Sequence, residues 1–183
     1  MAAVRTTSGR LVELRNVRSE DVDIDDIATS LSRQRRFSGH GAAEVTIADH
    51  AVLVMRLTES LGGTVRQQFA ALHHDDHEAY LSDIPSPVTR TLDEDGVKHL
   101  KYRVDRGIAA YLGIEAWEFR QTIIHDADLL AFGIERAHLW PGLYKPPSET
   151  PFSWRPMTPT WTKSLWLMEH RRLHARLEAE RAR

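Results

Sequence analysis

Three histidines and three carboxylates fall within six consecutive positions, His73-His74-Asp75-Asp76-His77-Glu78. Neutral imidazoles and carboxylates are the donors that hold a divalent ion, provided they converge from a rigid support. On a helix, His74 and Glu78 would share one face, with Asp75 rotated by about a quarter turn. One segment cannot surround an ion, so further donors must come from elsewhere. His50 lies on the apolar stripe of an upstream segment, after Ile47 and before Val54 at helical spacing. Asp128 sits in the most apolar stretch, Ile124-His125-Asp126-Ala127-Asp128-Leu129-Leu130, where a charge is costly unless it is paired or metal-bound. Spacing alone leaves other readings open: a satisfied core histidine at 50, a cap or ion-pair role for Asp128, and a solvated helix end at 73–78.

The composition narrows the chemistry. The 183 residues contain no cysteine, which excludes thiol nucleophiles, zinc ribbons and disulfide scaffolds, so any metal site must use imidazole and carboxylate. The 24 basic and 26 acidic side chains give a formal charge of -2, a poor match to a protein that coats a nucleic-acid polymer. A small phosphorylated substrate held by a few arginines is still compatible. The N-terminus lacks the apolar core of a signal peptide, and the longest apolar stretches, Ala51 to Met55 and Leu129 to Ile134, fall far short of a ~20-residue membrane span. The expectation is a soluble, cytoplasmic protein with neither membrane nor nucleic-acid polymer as partner. Homo-oligomerisation is left open.

The elements that must position these residues read as helices. Gly9 to Leu14 alternates weakly, as a short strand or hairpin arm would. Helices are expected at about 24–31, at about 47–61 after a Thr46 cap, and at about 65–80. A further helix should run from the Asp93-Glu94-Asp95-Gly96 turn to about Leu112, and another from Trp117 to Leu139. Pro85 and Pro87 stiffen the loop after Asp83. Six of the eight prolines lie between Pro141 and Pro159, marking an irregular strap that Trp140, Trp154 and Trp161 would pin to the helices. A charged amphipathic helix from about Thr162 closes the chain. The sum is a single all-α domain over residues 1–183, with a core at about 20–139, a strap at 140–160 and a last helix at 161–183.

The order of these pieces resembles the HD-domain phosphohydrolase superfamily: a histidine on one helix, a His-Asp doublet on the next and a later aspartate. Gly9-Arg10, the stretch from Asp23 to Ala28, Leu31-Ser32 and Arg36 to His40 are similar to a family of small bacterial and phage HD proteins. So are Val45 to Val54 and His74 to Pro87, so that the likeness covers roughly residues 9 to 139. The resemblance implies a bundle of about five core helices, with His50, His74, Asp75 and Asp128 as metal ligands. Asp128 is preferred to Asp126 because the family motif reads as an alanine-aspartate pair, matched by Ala127-Asp128. Such a donor set suits manganese, cobalt, iron, nickel or zinc rather than calcium, with magnesium also admitted.

The same resemblance implies that Glu78 is the acid/base residue and that Asp83 orients water or the leaving oxygen. On a phosphohydrolase mechanism, Arg36, or Arg35 beside it, would hold phosphate or else be a solvated loop charge, Phe37 would stack on a base or else belong to the core, and Pro85 and Pro87 would wall the base pocket or simply stiffen the turn. Small members cleave deoxynucleoside monophosphates, others release whole triphosphates, and one phage branch destroys deoxyadenylates. The implied activity is therefore hydrolysis of (deoxy)nucleoside phosphates, dATP and dAMP among them. Two alternatives stand beside it. One is a two-metal phosphodiesterase of cyclic or dinucleotide substrates, for which His77 and His99 are the available extra histidines. The other is a non-catalytic, nucleotide-sensing HD protein. Departures from the family pattern at Val45, Thr46, Ala51, Asp76 and His77 touch no implied ligand and bear on substrate preference.

Overall fold

Asp23, Thr46, Thr64 and Asp93 each stand just before a helical run, and each side chain accepts a backbone N–H from the first turn. In this computed structural model, which describes residues 2–148 and 151–183, these caps start four of the main helices. They are α1 (Ile24–Arg33), α2 (Ile47–Ser60), α3 (Val65–Leu72) and, after the short α4 (Glu78–Leu81) and α5 (Ser86–Thr89), α6 (Glu94–Leu112). Helices α7 (Thr122–Leu139) and α8 (Pro159–Arg181) follow. The fold is all-α; its one sheet among the described residues is an antiparallel hairpin of β1 (Ala3–Arg5) and β2 (Leu11–Glu13). Ser8 of that hairpin holds Asp26 of α1 through its N–H and its hydroxyl, at 2.8 and 2.6 Å. Among the described residues, no helix is long and apolar enough to cross a membrane.

Helix α2 is the axis of the molecule. Eleven of its residues are buried, Asp49 and His50 among them, because α1, α3, α7 and α8 all pack against it. A helix that is apolar nearly all round belongs in a core. Helix α8 is part of that core and no appendage: Trp166 and Leu173 are fully buried, and α8 lies against α1, α2 and α3. Its entry is tied to α2 through Asp49, whose Oδ1 accepts from the Thr162 hydroxyl at 2.9 Å and from the Met157 N–H at 3.2 Å. The proline strap and last helix thus close on the residue next to His50.

Three expectations are corrected. The helix expected over 65–80 ends at Leu72, and residues 73–77 form tight turns. His73 caps α3, its ring bonded to Asp76 at 2.6 Å, and the backbone continues with i to i+3 bonds such as Glu78 N–H to Asp75 O at 2.9 Å. The run of polar side chains competes with the helical ladder and breaks it. The helix expected over 117–139 is likewise divided, because the Glu118 carboxylate turns back to the Glu115 N–H at 2.8 Å while holding Arg66. This closes a 3-10 turn at Ala116–Arg120, and α7 then starts afresh. Finally, Trp161 does not pin the strap. It is 71% exposed on the outer side of α8, and the inward aromatic is Trp166. Trp140 and Trp154 do make such contacts, edge-on to Phe37 at 5.5 Å and to His138 at 5.7 Å. Glu149 and Thr150 of the strap lie outside the described residues.

Candidate metal centre

Breaking α3 at Leu72 turns the His-Asp doublet toward α2 and α7. The donor atoms of His50 (α2), His74 (the turn) and Asp128 (α7) lie within 4.8 Å of one another. His50 Nε2 is 3.1 Å from Asp128 Oδ1 and 3.6 Å from Asp75 Oδ2, and His74 Nε2 is 3.3 Å from the same Asp75 oxygen. The doublet and the later aspartate therefore converge, although their donors do not share a helix face. Asp126, two residues before Asp128, is exposed.

Each imidazole is oriented through its other nitrogen. His50 Nδ1 meets Glu135 Oε1 at 2.9 Å, and His74 Nδ1 donates to the Ala71 carbonyl at 2.8 Å. Fixing Nδ1–H in this way leaves Nε2 with its lone pair toward the cluster, the tautomer a metal requires. Both Nε2 atoms are buried and make no hydrogen bond of good geometry; the carboxylate oxygens near them, Asp128 Oδ1 at 3.1 Å from His50 and Asp75 Oδ2 at 3.3 Å from His74, would share a cation bound between them. Two imidazoles and two carboxylates fit a borderline divalent ion.

The electrostatics point the same way. Burial alone would lower the His74 pKa, but the charges of Asp75 and Asp128 raise it to about 10. His50 is also raised, despite full burial and the nearby Arg36, by Glu135 and Asp128. Burial opposes ionisation of Asp75, yet the three surrounding imidazoles hold it well below the usual carboxylate range. The cluster thus stabilises positive charge at its centre, which a cation can supply in place of protons. Glu78 lies at its edge. Burial and the charges of Asp75 and Asp83 raise its carboxyl to about 7 against the opposing pull of His77 and Lys101.

The supporting segments are held firmly. Gln34 at the end of α1 donates to the Glu78 carbonyl at 3.0 Å, and Ser30 to that of Ala79 at 3.0 Å, which docks α4 on α1. Arg36 follows in an excursion closed by the Arg35–Thr46 bridge and tied to α7 by the Ala42 N–H on the Leu139 carbonyl at 2.8 Å. Gly41, at φ +116, makes that approach possible: a Cβ there would come within 2.8 Å of the Leu139 side chain. Phe37, Ser38 and Ser82 adopt positive φ although none is glycine. All three flank Arg36 or Asp83, and such strain concentrates at functional sites.

The candidate residues are not all brought together. The Arg36 side chain is 13% exposed, with Nε 3.2 Å from Glu135 and Nη1 3.8 Å from Asp75, so it lines the cluster. Asp83 is half-buried and feels the charges of Arg36 and Asp75. Phe37 is half-buried, its ring 5.5 Å from the Arg36 guanidinium and stacked on Phe132 at 5.8 Å. Arg35 is half-exposed and engaged by Glu44, and Pro87 is exposed on α5. His99 is exposed on α6.

No model of a known protein family matches the chain. Over 168 residues it is 34% identical to the uncharacterized protein YfdR of Escherichia coli (strain K12), a match that spans 87% of this chain and 88% of that protein. The chain belongs to the YfdR family. A second similar protein is the uncharacterized protein RCAP_rcc00048 of Rhodobacter capsulatus, 30% identical over 116 residues, or 61% of this chain and 59% of that one.

Several residues of the site in this YfdR-family chain escape a reading by spacing. Glu135 is fully buried and orients His50. Asp105 of α6 accepts from His77 Nδ1 at 2.9 Å and from Arg120 at 2.8 Å. Both carboxylates sit among apolar neighbours, Ala131 and Ile134 in one case and Val104 and Ile108 in the other. An acidic residue inside an apolar helical stripe is the signal that would have found them.

Proposed function

We propose that this YfdR-family protein is a metal-dependent phosphohydrolase of the HD type, acting on (deoxy)nucleoside phosphates, with deoxyadenylates as the leading substrates. The supporting observation is that donor atoms of His50, His74 and Asp128 lie within 4.8 Å of one another, with Asp75 Oδ2 3.6 Å from His50 Nε2 and 3.3 Å from His74 Nε2. A divalent ion held there would supply a lowered water pKa and neutralise charge on the phosphoryl group.

The rest of the reaction falls to the chain's own residues. Glu78, with a carboxyl near 7, can take a proton from the attacking water and return it to the leaving sugar oxygen. Asp83, presented by the strained Ser82, orients the water or the leaving oxygen. Arg36 is fixed by Glu135 and Asp75 through two of its nitrogens and keeps further N–H groups for phosphate oxygens. Phe37 offers a half-buried aromatic face for the base.

The test is a panel of ribo- and deoxynucleoside mono-, di- and triphosphates assayed with Mn2+, Co2+, Zn2+ and Mg2+, reading phosphate, pyrophosphate and triphosphate separately. The reading expects turnover of at least one deoxynucleotide that stops on chelation and returns with metal. Nucleotide binding without turnover in every metal would instead favour a sensing role.

A further inference from the structure

The molecule builds one device twice. On one side of Asp75, Arg36 holds Glu135, Glu135 holds His50 Nδ1, and His50 Nε2 faces the first cluster. On the other side, Arg120 holds Asp105 at 2.8 Å, and Asp105 holds His77 Nδ1 at 2.9 Å. His77 is 6% exposed and its Nε2 has no hydrogen-bond partner. The carboxylate–histidine pairing that fixes a ligating tautomer is thus present in both. Donor atoms of His77, Asp75 and Glu78 lie within 4.8 Å of one another. Glu78 is 4% exposed, and its Oε2 is also unpartnered, while Oε1 lies 3.8 Å from Lys101.

We propose that Asp75, His77 and Glu78 form a second divalent-cation position, sharing the Asp75 carboxylate with the first. An imidazole lone pair beside two carboxylates suits a cation far better than a phosphate oxygen, which would meet two like charges. A carboxylate between two ions is the usual bridge when they lie about 3.5–4 Å apart. The second position is the weaker, because it has fewer protein donors and Lys101 already lies beside Glu78. Its filling occupies Glu78. If the hydrolase reading holds, the second ion therefore takes away the proton carrier and inhibits, so activity rises and then falls with metal concentration.

The experiment titrates the full-length, chelator-stripped protein with Mn2+, following free Mn2+ by EPR and heat by calorimetry. Wild type is expected to take up a tight and then a weaker equivalent, with an exchange-coupled Mn–Mn signal at saturation. His77→Gln should lose the weaker equivalent and the coupled signal while keeping the tight one. Asp105→Asn leaves the imidazole in place and should weaken only the second ion, by roughly 10–100-fold; it carries the test if His77→Gln does not fold. A single equivalent in wild type, or a second one unchanged in both variants, overturns the second position and leaves the hydrolase reading standing. Absence of any bound Mn2+ overturns both. Turnover that climbs steadily while the second ion binds overturns the inhibitory role alone.

Discussion

His50 and His73 are both 0% exposed, yet the fold uses them in opposite ways. At His50 only Nδ1 is satisfied within the protein, and Nε2 is left facing Asp75 and Asp128. At His73 both nitrogens are engaged, Nδ1 by Asp76 at 2.6 Å and Nε2 by His170 Nδ1 at 3.0 Å, and the ring packs edge-on to Phe69 and Trp166. The electrostatics divide accordingly. Carboxylates raise His50 against its burial, whereas burial, followed by the charges of His174 and His74, pushes His73 down to about 3. Burial likewise raises the Asp76 carboxyl well above the usual carboxylate range. Two buried imidazoles thus serve different ends, one the carboxylate-rich cluster between α2 and α7 and the other the packed joint with α8. What separates them is whether the second nitrogen has a partner.

The largest expected effect that sharpens this contrast is at Glu78. Under the proposed hydrolase reading, Glu78→Gln should lower kcat by about 10²–10⁴-fold, the usual contribution of a positioned acid/base, while leaving in place an ion held at His50, His74, Asp75 and Asp128. Single-turnover assays with parallel metal analysis check it, and unaltered turnover would remove Glu78 from the reaction.

A smaller effect belongs to the α8 joint. Burial, with the charges of His73, His174 and Arg171, holds His170 down to about 3. His73 faces it from the turn after α3, and His174 and Arg171 from its own helix. The unfolded chain binds the proton first, at an ordinary value near 6.5, so this stability is complete above that pH and is lost as the pH falls toward 3. His170→Gln should cost on the order of 1 kcal/mol at neutral pH, one hydrogen bond, and flatten the loss of stability in acid. Urea denaturation from pH 7.5 to 4.5 measures both slopes; an unchanged acid slope would show that His170 carries no part of it.

Much of this arrangement is legible from residue order. The Thr46 cap, the cap or turn at Asp93 and the apolar runs behind them can be read because each depends on local spacing, whereas the grouping of His50, His74 and Asp128, far apart in the chain, comes from the family resemblance and not from spacing. The break at Leu72 cannot, since His73 through Glu78 reads equally well as a helical face, and only the ring-to-carboxylate bond inside it decides. Glu135, Asp105 and Thr162 cannot be found by spacing from the motif either, because their partners lie 85, 28 and 113 residues away. The last helix looks like a charged surface element because only a narrow face, marked by Trp166, Leu173 and Leu177, enters the core.

The most direct measurement is bound metal per folded chain in His50→Gln set against His73→Gln, after equilibration with Mn2+ or Zn2+ and with folding verified by circular dichroism. The account predicts that His50→Gln folds but loses its tightly bound ion, and that His73→Gln keeps the ion while melting at a lower temperature. A full metal complement in His50→Gln, or an empty site in folded His73→Gln, would contradict it.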